Sequence, residues 1–146
     1  MSAGGEIAIA ILLAFGIGFA GGLRTFMPLA ALRLPHRDWT TAVALACAVA
    51  ELIGDKLPGV PSRLLPGPLV GRCVVGGYAG LVIGGKLGLD LSPAVLIGIA
   101  GAICGALSGA SYRTWVAANH LPDLWFALAE DAAAVAIAFS IALAVA

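Results

Sequence analysis

The chain has 146 residues, of which 61% are hydrophobic and 11% charged, and its mean hydropathy is +1.04. Soluble domains average about 45–50% apolar and about 25% charged residues, so this composition excludes a soluble enzyme core and intrinsic disorder and predicts an all-α integral membrane protein. Eight basic residues balance eight acidic ones. No stretch combines clustered basic and aromatic residues, so we expect lipid and not nucleic acid as the partner.

Five membrane spans are predicted from apolar runs of about 20 residues that end at proline, glycine or charge. In chain order they cover approximately residues 6–34, 39–57, 69–89, 92–118 and 122–146. Arg72 and Lys86 lie near the ends of the third run and are expected to reach the headgroups. Ser92 before Pro93 predicts the start of the fourth. Residues 1–146 are expected to form a single membrane domain.

Glycines recur every fourth residue in the third and fourth spans. They are Gly76, Gly80, Gly84 and Gly88 in one, and Gly101, Gly105 and Gly109 in the other. Such spacing places small residues on one helix face and lets backbones approach closely. It predicts tight helix packing, which we favour over a pore lining.

An internal repeat links the two ends of the chain. Residues 21–26 read Gly-Gly-Leu-Arg-Thr-Phe and residues 110–115 read Ala-Ser-Tyr-Arg-Thr-Trp, and an Ala-x-Ala-Glu sequence follows each at 48–51 and 127–130. The copies are residues 6–57 and 92–146, with a linker and a glycine-rich central helix at 58–91. The second copy begins three spans after the first. Because three is an odd number, the two copies would enter the membrane from opposite sides, as in the inverted repeats of many transporters.

Six charged residues lie inside the predicted spans: Arg24, Glu51, Asp55, Arg113, Glu130 and Asp131. Each costs about 2.5–3.5 kcal/mol at the centre of a span on insertion scales, so such groups usually face the protein interior and pair. The sequence leaves open which arginine pairs with which carboxylate. All six are candidate substrate- or ion-binding residues.

Four further residues are secondary candidates: Lys56, Thr25, Thr114 and Pro28. Thr25 and Thr114 belong to the repeated triplets. Pro28 removes the amide that would bond to the Arg24 carbonyl, which predicts a kink there and places Arg24 at a weakened turn.

Four deep carboxylates outnumber two deep arginines, unless Lys56 reaches inward. Such an excess predicts that one carboxyl group holds a proton or that the cluster holds a cation, which would suit a coupled carrier. A structural alternative is that the ion pairs only fix the register of the helices and that the unpaired carboxylates lie at helix ends exposed to water. In that case Glu130 would be the most superficial.

Two segments resemble an uncharacterised family of small bacterial integral membrane proteins. They are the Gly-Leu-Arg-Thr-Phe-Met-Pro sequence at 22–28 and the Glu-Leu-Ile-Gly-Asp-Lys-Leu-Pro sequence at 51–58. The resemblance implies a location in the bacterial inner membrane and importance for Arg24, Glu51, Asp55 and Lys56. The resemblance does not indicate a substrate.

These features predict a small transporter or channel-like permease for a charged solute, coupled to protons or cations. The alternative is a membrane scaffold or lipid-interacting protein whose charges are structural. We expect no enzyme and no cofactor, because no catalytic triad spacing, HExxH pair or P-loop is present; whether a metal binds stays open. The thin, glycine-rich spans predict a homo-oligomer, with a dimer favoured. Basic residues divide evenly between the two sides, so orientation stays open.

Overall fold

The computed structural model describes residues 3–54 and 64–146, which fold into helices joined by short turns, with no strand among them. The α-helices in these two ranges are α1 (Ala3–Leu23), α2 (Met27–Arg33), α3 (Trp39–Gly54), α4 (Pro66–Lys86), α5 (Leu91–Ala118) and α6 (Asp123–Ala144). Four of them, α1, α4, α5 and α6, are long and apolar enough to cross a membrane, whereas α3 is apolar but shorter. The prediction of an all-helical chain with several membrane-length helices is confirmed.

The first predicted span is wrong as a single helix, because the chain reverses direction after Leu23. The Cγ of Pro28 lies 3.3 Å from the position that a Cβ on Gly21 would take. In a continuous helix these residues would stand about 10 Å apart along the axis. Pro28 occupies the first turn of α2, where its missing amide breaks no helical hydrogen bond. The proline therefore begins a new helix that folds back along α1.

Helices α1 and α5 run parallel and touch through their backbones. A Cβ on Gly18 would collide with the backbone of Gly98, and a Cβ on Gly22 would collide with the backbone of Ala102. From the first of these contacts to the second, the residue number rises in both helices, so the two helices run in the same direction. The glycines are needed here because backbone atoms occupy the space of any side chain.

Helix α4 runs antiparallel to α5 and packs against both α1 and α5. We call these three mutually packed helices the core layer. A Cβ on Gly76 would lie 2.5 Å from the Cβ of Ala102, and one on Gly84 would lie 2.7 Å from that of Ala94. Gly88 was expected to continue this series of packed glycines on α4. It has a φ of +82° instead and follows the end of α4, the usual place for a left-handed glycine.

Helices α2, α3 and α6 lie outside this group, and we call them the second layer. Helix α6 packs against α1 and α5, α2 packs against α1 and α4, and α3 packs on α2. The apolar core between the layers is made by small and branched side chains: Ile17, Ala20, Met27, Ala30, Ala31, Ala44, Ala48, Ala79, Ile83, Ala138, Ile141 and Ala142. Helix α6 runs antiparallel to α1, since Gly16 approaches Ile141 while Arg24, later in the chain, pairs with the earlier Asp131.

Helix α3 packs antiparallel to α2. Near its start, the hydroxyl of Thr41 donates a hydrogen bond of 2.8 Å to the carbonyl of Arg33 at the end of α2. Asp38 caps α3, because its carboxylate accepts the amide of Thr41 at 2.9 Å and the hydroxyl of Thr40 at 2.5 Å. The other end of α3 therefore reaches the turn between α1 and α2.

The Asp38 cap gives a pH-dependent prediction. Hydrogen bonds from the Thr40 hydroxyl and the Thr41 amide lower the pKa of the Asp38 carboxyl from 3.8 to about 2. Because the charged form is favoured in the folded state, its stabilising contribution is present above about pH 4 and is lost as the pH falls through about 2. We expect the Asp38 carboxyl carbon to titrate near pH 2 by NMR in micelles, and Thr40→Ala to move the midpoint toward 3.8. A wild-type midpoint near 3.8 would contradict the cap.

The expected inverted repeat is not confirmed. The first Arg-Thr-aromatic triplet directly follows α1 and the second lies in α5. These two helices run parallel, because the reversal after Leu23 adds one change of direction to the chain. The triplets also differ locally: residues 24–26 form the turn, whereas Arg113 to Trp115 continue α5 as helix. Four of the described helices are long and apolar enough to span a membrane, so the five-span count is not confirmed.

One further boundary differs from the prediction. Helix α5 begins at Leu91 after Asp90, so Ser92 is inside the helix and does not cap it. Lys86 ends α4 as expected and is exposed, and its Nζ donates a hydrogen bond of 3.1 Å to the carbonyl of Val145.

Candidate functional site

The turn at residues 24–26 interrupts the helical hydrogen-bond ladder and leaves backbone groups to be satisfied within the bundle. Glu51, from the last turn of α3, meets the amides on one side of the break. Its carboxylate accepts the Thr25 amide at 2.7 Å and the Phe26 amide at 2.9 Å. An anion is well placed at the start of a helix, where unpaired amides carry partial positive charge.

Arg72, from the first half of α4, meets the carbonyls on the other side of the break. Its Nη1 donates hydrogen bonds to the carbonyls of Gly22 and, at 3.1 Å, Leu23. These are last-turn carbonyls of α1, which lack partners inside the helix and attract a cation. The Nη2 of Arg72 lies 3.7 Å from the Glu51 carboxylate. The two side chains that cap the broken helix therefore also pair with each other.

Arg24 is fully buried at the centre of this break. Its Nε donates a hydrogen bond of 2.7 Å to the carboxylate of Asp131, and its Nη2 lies 2.5 Å from the same oxygen. The side chain of Arg24 has 0% of its surface exposed and that of Asp131 has 10%. We call Arg24, Glu51, Arg72 and Asp131 the turn cluster.

Arg113 forms a second, more exposed set of ion pairs at the α5–α6 end. Its Nη1 donates to both oxygens of Asp123, at 2.8 and 2.9 Å, and its Nε donates to Glu130 at 3.2 Å. The Asp123 side chain is 69% exposed, whereas that of Glu130 is 3% exposed. The expectation that Glu130 would be superficial is wrong, because it faces the bundle one residue before Asp131.

The three deep ion pairs all join the two layers. The arginines extend from the core layer: Arg24 at the end of α1, Arg72 on α4 and Arg113 on α5. The carboxylates extend from the second layer: Asp131 and Glu130 on α6, and Glu51 on α3. Among the described residues, three deep arginines thus face three deep carboxylates. The predicted excess of negative charge was counted without Arg72 and with Asp55, which lies outside the described residues.

Arg72 is the residue that the sequence prediction missed. It is 4% exposed and lies in the turn cluster, whereas the prediction placed it at the headgroups because it stands near the start of an apolar run. Helix α4 begins at Pro66, so Arg72 already lies in its second turn. The long uncharged stretch that follows Arg72 gave no sign of its depth.

The remaining candidates take other roles or lie outside the described residues. Thr25 contributes its backbone amide to the turn cluster, and Pro28 packs against Gly21. Thr114 is exposed and its hydroxyl donates to the carbonyl of Ala110 one turn earlier. Asp55 and Lys56 lie outside the described residues. Within residues 3–54 and 64–146, no group of three or more His, Cys, Asp or Glu side chains could hold a metal ion.

Arg24 and Arg113 were expected to meet in one pocket, and the structure places them in two neighbouring sets. Both bond to α6, at the adjacent residues Asp131 and Glu130. Adjacent helical residues diverge by about 100°, so the two carboxylates point to different sides of α6. The two sets are linked through one helix and remain separate clusters.

The comparisons with known proteins identify no relative. No family model matches the chain, no curated protein matches it, and no solved structure matches its fold.

Proposed function

We propose that the chain is a small membrane transporter for a charged solute, coupled to protons or cations, with the turn cluster as its binding site. The observation that carries this proposal is the pair of the fully buried Arg24 with the largely buried Asp131, at a broken helix among membrane-length helices. Ionised groups inside a membrane are costly and usually mark ion or substrate paths. Helix breaks at membrane depth are a common way to build such a site.

The division of charge between the layers suggests how the site would work. The core layer is held rigidly by backbone contacts at its glycines, while the second layer meets it through apolar side chains and the three ion pairs. A proton or solute ion that replaces one partner of a pair weakens the contact between layers. Movement of α3 and α6 against the core layer would then open the cluster, whose four side chains are at most 12% exposed.

We further propose that this transporter acts in the inner membrane of a bacterium and as a homodimer. The location follows from the resemblance of residues 22–28 and 51–58 to small bacterial membrane proteins. The dimer follows from the small volume that the bundle encloses and from the many small residues on its helix faces.

A second function, a membrane scaffold with structural charges, is favoured by one specific observation. Glu51 and Arg72 satisfy the backbone groups on both sides of the helix break. Such capping stabilises a turn without any ligand. The two functions differ in whether neutral variants that still fold lose transport.

The test is ion flux into liposomes that contain the purified protein. Vesicles loaded with a pH-sensitive dye report proton movement, and imposed gradients of sodium, potassium, chloride and phosphate test the solute. Asp131→Asn and Glu51→Gln are expected to reduce the active flux by about tenfold to a hundredfold, because each removes a charge-assisted contact of about 1.5–3 kcal/mol.

Glu6→Gln is the matched control, since Glu6 is exposed near the start of α1 and should leave flux unchanged. Folding of each variant is checked by gel filtration and circular dichroism. Folded Asp131→Asn and Glu51→Gln proteins with wild-type flux would support the scaffold and reject the transport site.

A further inference from the structure

The carboxylate of Glu51 lies at a position in the turn cluster where every polar neighbour favours negative charge. Its Oε1 accepts the Thr25 amide at 2.7 Å and its Oε2 accepts the Phe26 amide at 2.9 Å. The Nη2 of Arg72 lies 3.7 Å from Oε1. Two adjacent backbone amides and a guanidinium thus surround one planar, singly charged group, and contacts of this kind are strengthened by the charge.

These three donors are held in place by contacts that do not involve Glu51. The two amides belong to the backbone of the turn itself. Arg72 is fixed by the hydrogen bonds from its Nη1 to the carbonyls of Gly22 and Leu23. Departure of the Glu51 carboxylate would therefore leave the donors directed at the same position.

Glu51 is also the carboxylate of the turn cluster that can leave most easily. Its side chain is 12% exposed, and α3, which carries it, packs mainly on α2. The start of α3 is tied to α2 by the Thr41 hydroxyl, whereas Glu51 lies near the other end. Asp131, by contrast, accepts a 2.7 Å hydrogen bond from Arg24 and lies on α6, which packs against the core layer. A tilt of α3 would withdraw Glu51 without disturbing the core layer.

The charges of the turn cluster decide which solute fits. Arg24 and Arg72 carry two positive charges, and Glu51 and Asp131 carry two negative ones, so the cluster is neutral while Glu51 is in place. If Glu51 binds a proton as it leaves, one positive charge is uncompensated, and a buried charge without its partner is costly. A monovalent anion at the vacated position restores neutrality, whereas a cation would increase the imbalance.

We propose that the solute of this site is a small, planar, monovalent oxyanion, such as formate or nitrate, which replaces the Glu51 carboxylate on the Thr25 and Phe26 amides. This inference rests on the proposed transport at the turn cluster and names its solute and its proton-binding residue. The proton binds to a carboxylate oxygen of Glu51, and the entering anion supplies the negative charge that Glu51 has lost. One anion and one proton are therefore carried together, and no net charge moves.

Glu51→Ala tests the anion site because it removes the competing carboxylate and keeps all three donors. Binding of sodium formate and of sodium chloride to the purified protein in detergent is measured by isothermal titration calorimetry. We expect Glu51→Ala to bind formate at least about tenfold more tightly than the wild type, which corresponds to about 1.4 kcal/mol. Chloride, a single atom that cannot place a separate oxygen on each amide, should bind more weakly than formate.

Two further measurements locate the bound anion and provide the control. In the NMR spectrum of Glu51→Ala, formate should shift the amide signals of Thr25 and Phe26. Glu6→Ala, at an exposed residue near the start of α1, should bind formate as the wild type does. If Glu51→Ala does not fold by itself, formate and not chloride should restore its circular dichroism and gel-filtration profile.

Three results would overturn the proposal. They are a formate affinity of Glu51→Ala no higher than that of the wild type, unchanged Thr25 and Phe26 signals, and an unfolded Glu51→Ala protein that formate does not restore. Chloride binding as tight as that of formate would overturn the assignment of a planar oxyanion.

Flux through the wild-type protein separates this inference from the transport on which it rests. In liposomes that contain a pH-sensitive dye, an inward nitrate gradient should acidify the interior, because each anion brings a proton with it. Nitrate is the probe because nitric acid is fully ionised and carries no protons across lipid by itself. Flux driven by sodium or potassium gradients but not by nitrate would overturn the anion and keep the transporter. Formate binding without flux of any ion would reject transport and keep the anion site.

Discussion

Replacement of Arg24 by methionine is expected to lower the free energy of unfolding by about 3–5 kcal/mol. This is the usual cost of removing one partner from a buried ion pair, because the other charge stays buried without compensation. Here the remaining charge would be Asp131, whose side chain is 10% exposed. Asp131→Leu should be similarly destabilising. The measurement is reversible unfolding by sodium dodecyl sulfate in mixed micelles.

The double variant Arg24→Met/Asp131→Leu provides the control for this prediction. Replacing a whole buried pair by apolar side chains of similar size is often neutral or stabilising, so the double variant should recover most of the lost stability. Two single variants that each lose less than about 1 kcal/mol, the range of exposed pairs, would contradict the burial of this pair.

Gly98→Ala is expected to destabilise the bundle by at least the cost of overpacking a well-filled core, about 1–3 kcal/mol. A Cβ at this position would overlap the backbone carbonyl of Gly76 and lie 2.9 Å from the Cα of Gly80. Backbone atoms cannot move aside as a flexible side chain would, so α4 and α5 must separate. The change should appear in the same unfolding titration.

Gly71→Ala is the matched substitution on α4. A Cβ there would meet no atom within 4 Å, and alanine favours helix over glycine by up to about 1 kcal/mol. Its stability should therefore equal or exceed that of the wild type. Equal effects of Gly98→Ala and Gly71→Ala would show that the glycines do not hold the core layer together.

The sequence predicted the features that depend on composition and spacing. Hydropathy located the apolar runs that correspond to α4, α5 and α6. The recurrence of glycine at every fourth residue correctly indicated close packing at Gly76, Gly80 and Gly84. The cost of burying charge correctly predicted that Arg24 would lie inside with a carboxylate partner. These inferences need only local sequence and the physics of a membrane.

The sequence could not predict the features that distant residues decide. Residues 6–34 read as one apolar run, and a proline in such a run predicts a kink as readily as a reversal. The reversal is stabilised by Glu51 and Arg72, which stand far from the turn in the chain. The extra change of direction then altered the orientation expected for the two copies of the repeat.

Flux through the folded Arg24→Met/Asp131→Leu protein tests most directly whether the turn cluster is a transport site. This variant removes the buried Arg24–Asp131 pair while keeping the bundle stable, so a loss of flux cannot be attributed to unfolding. We expect liposomes with this protein to show only the background leak of protein-free vesicles. A folded double variant that carries ions at the wild-type rate would show that the pair is structural and that transport, if present, uses another path.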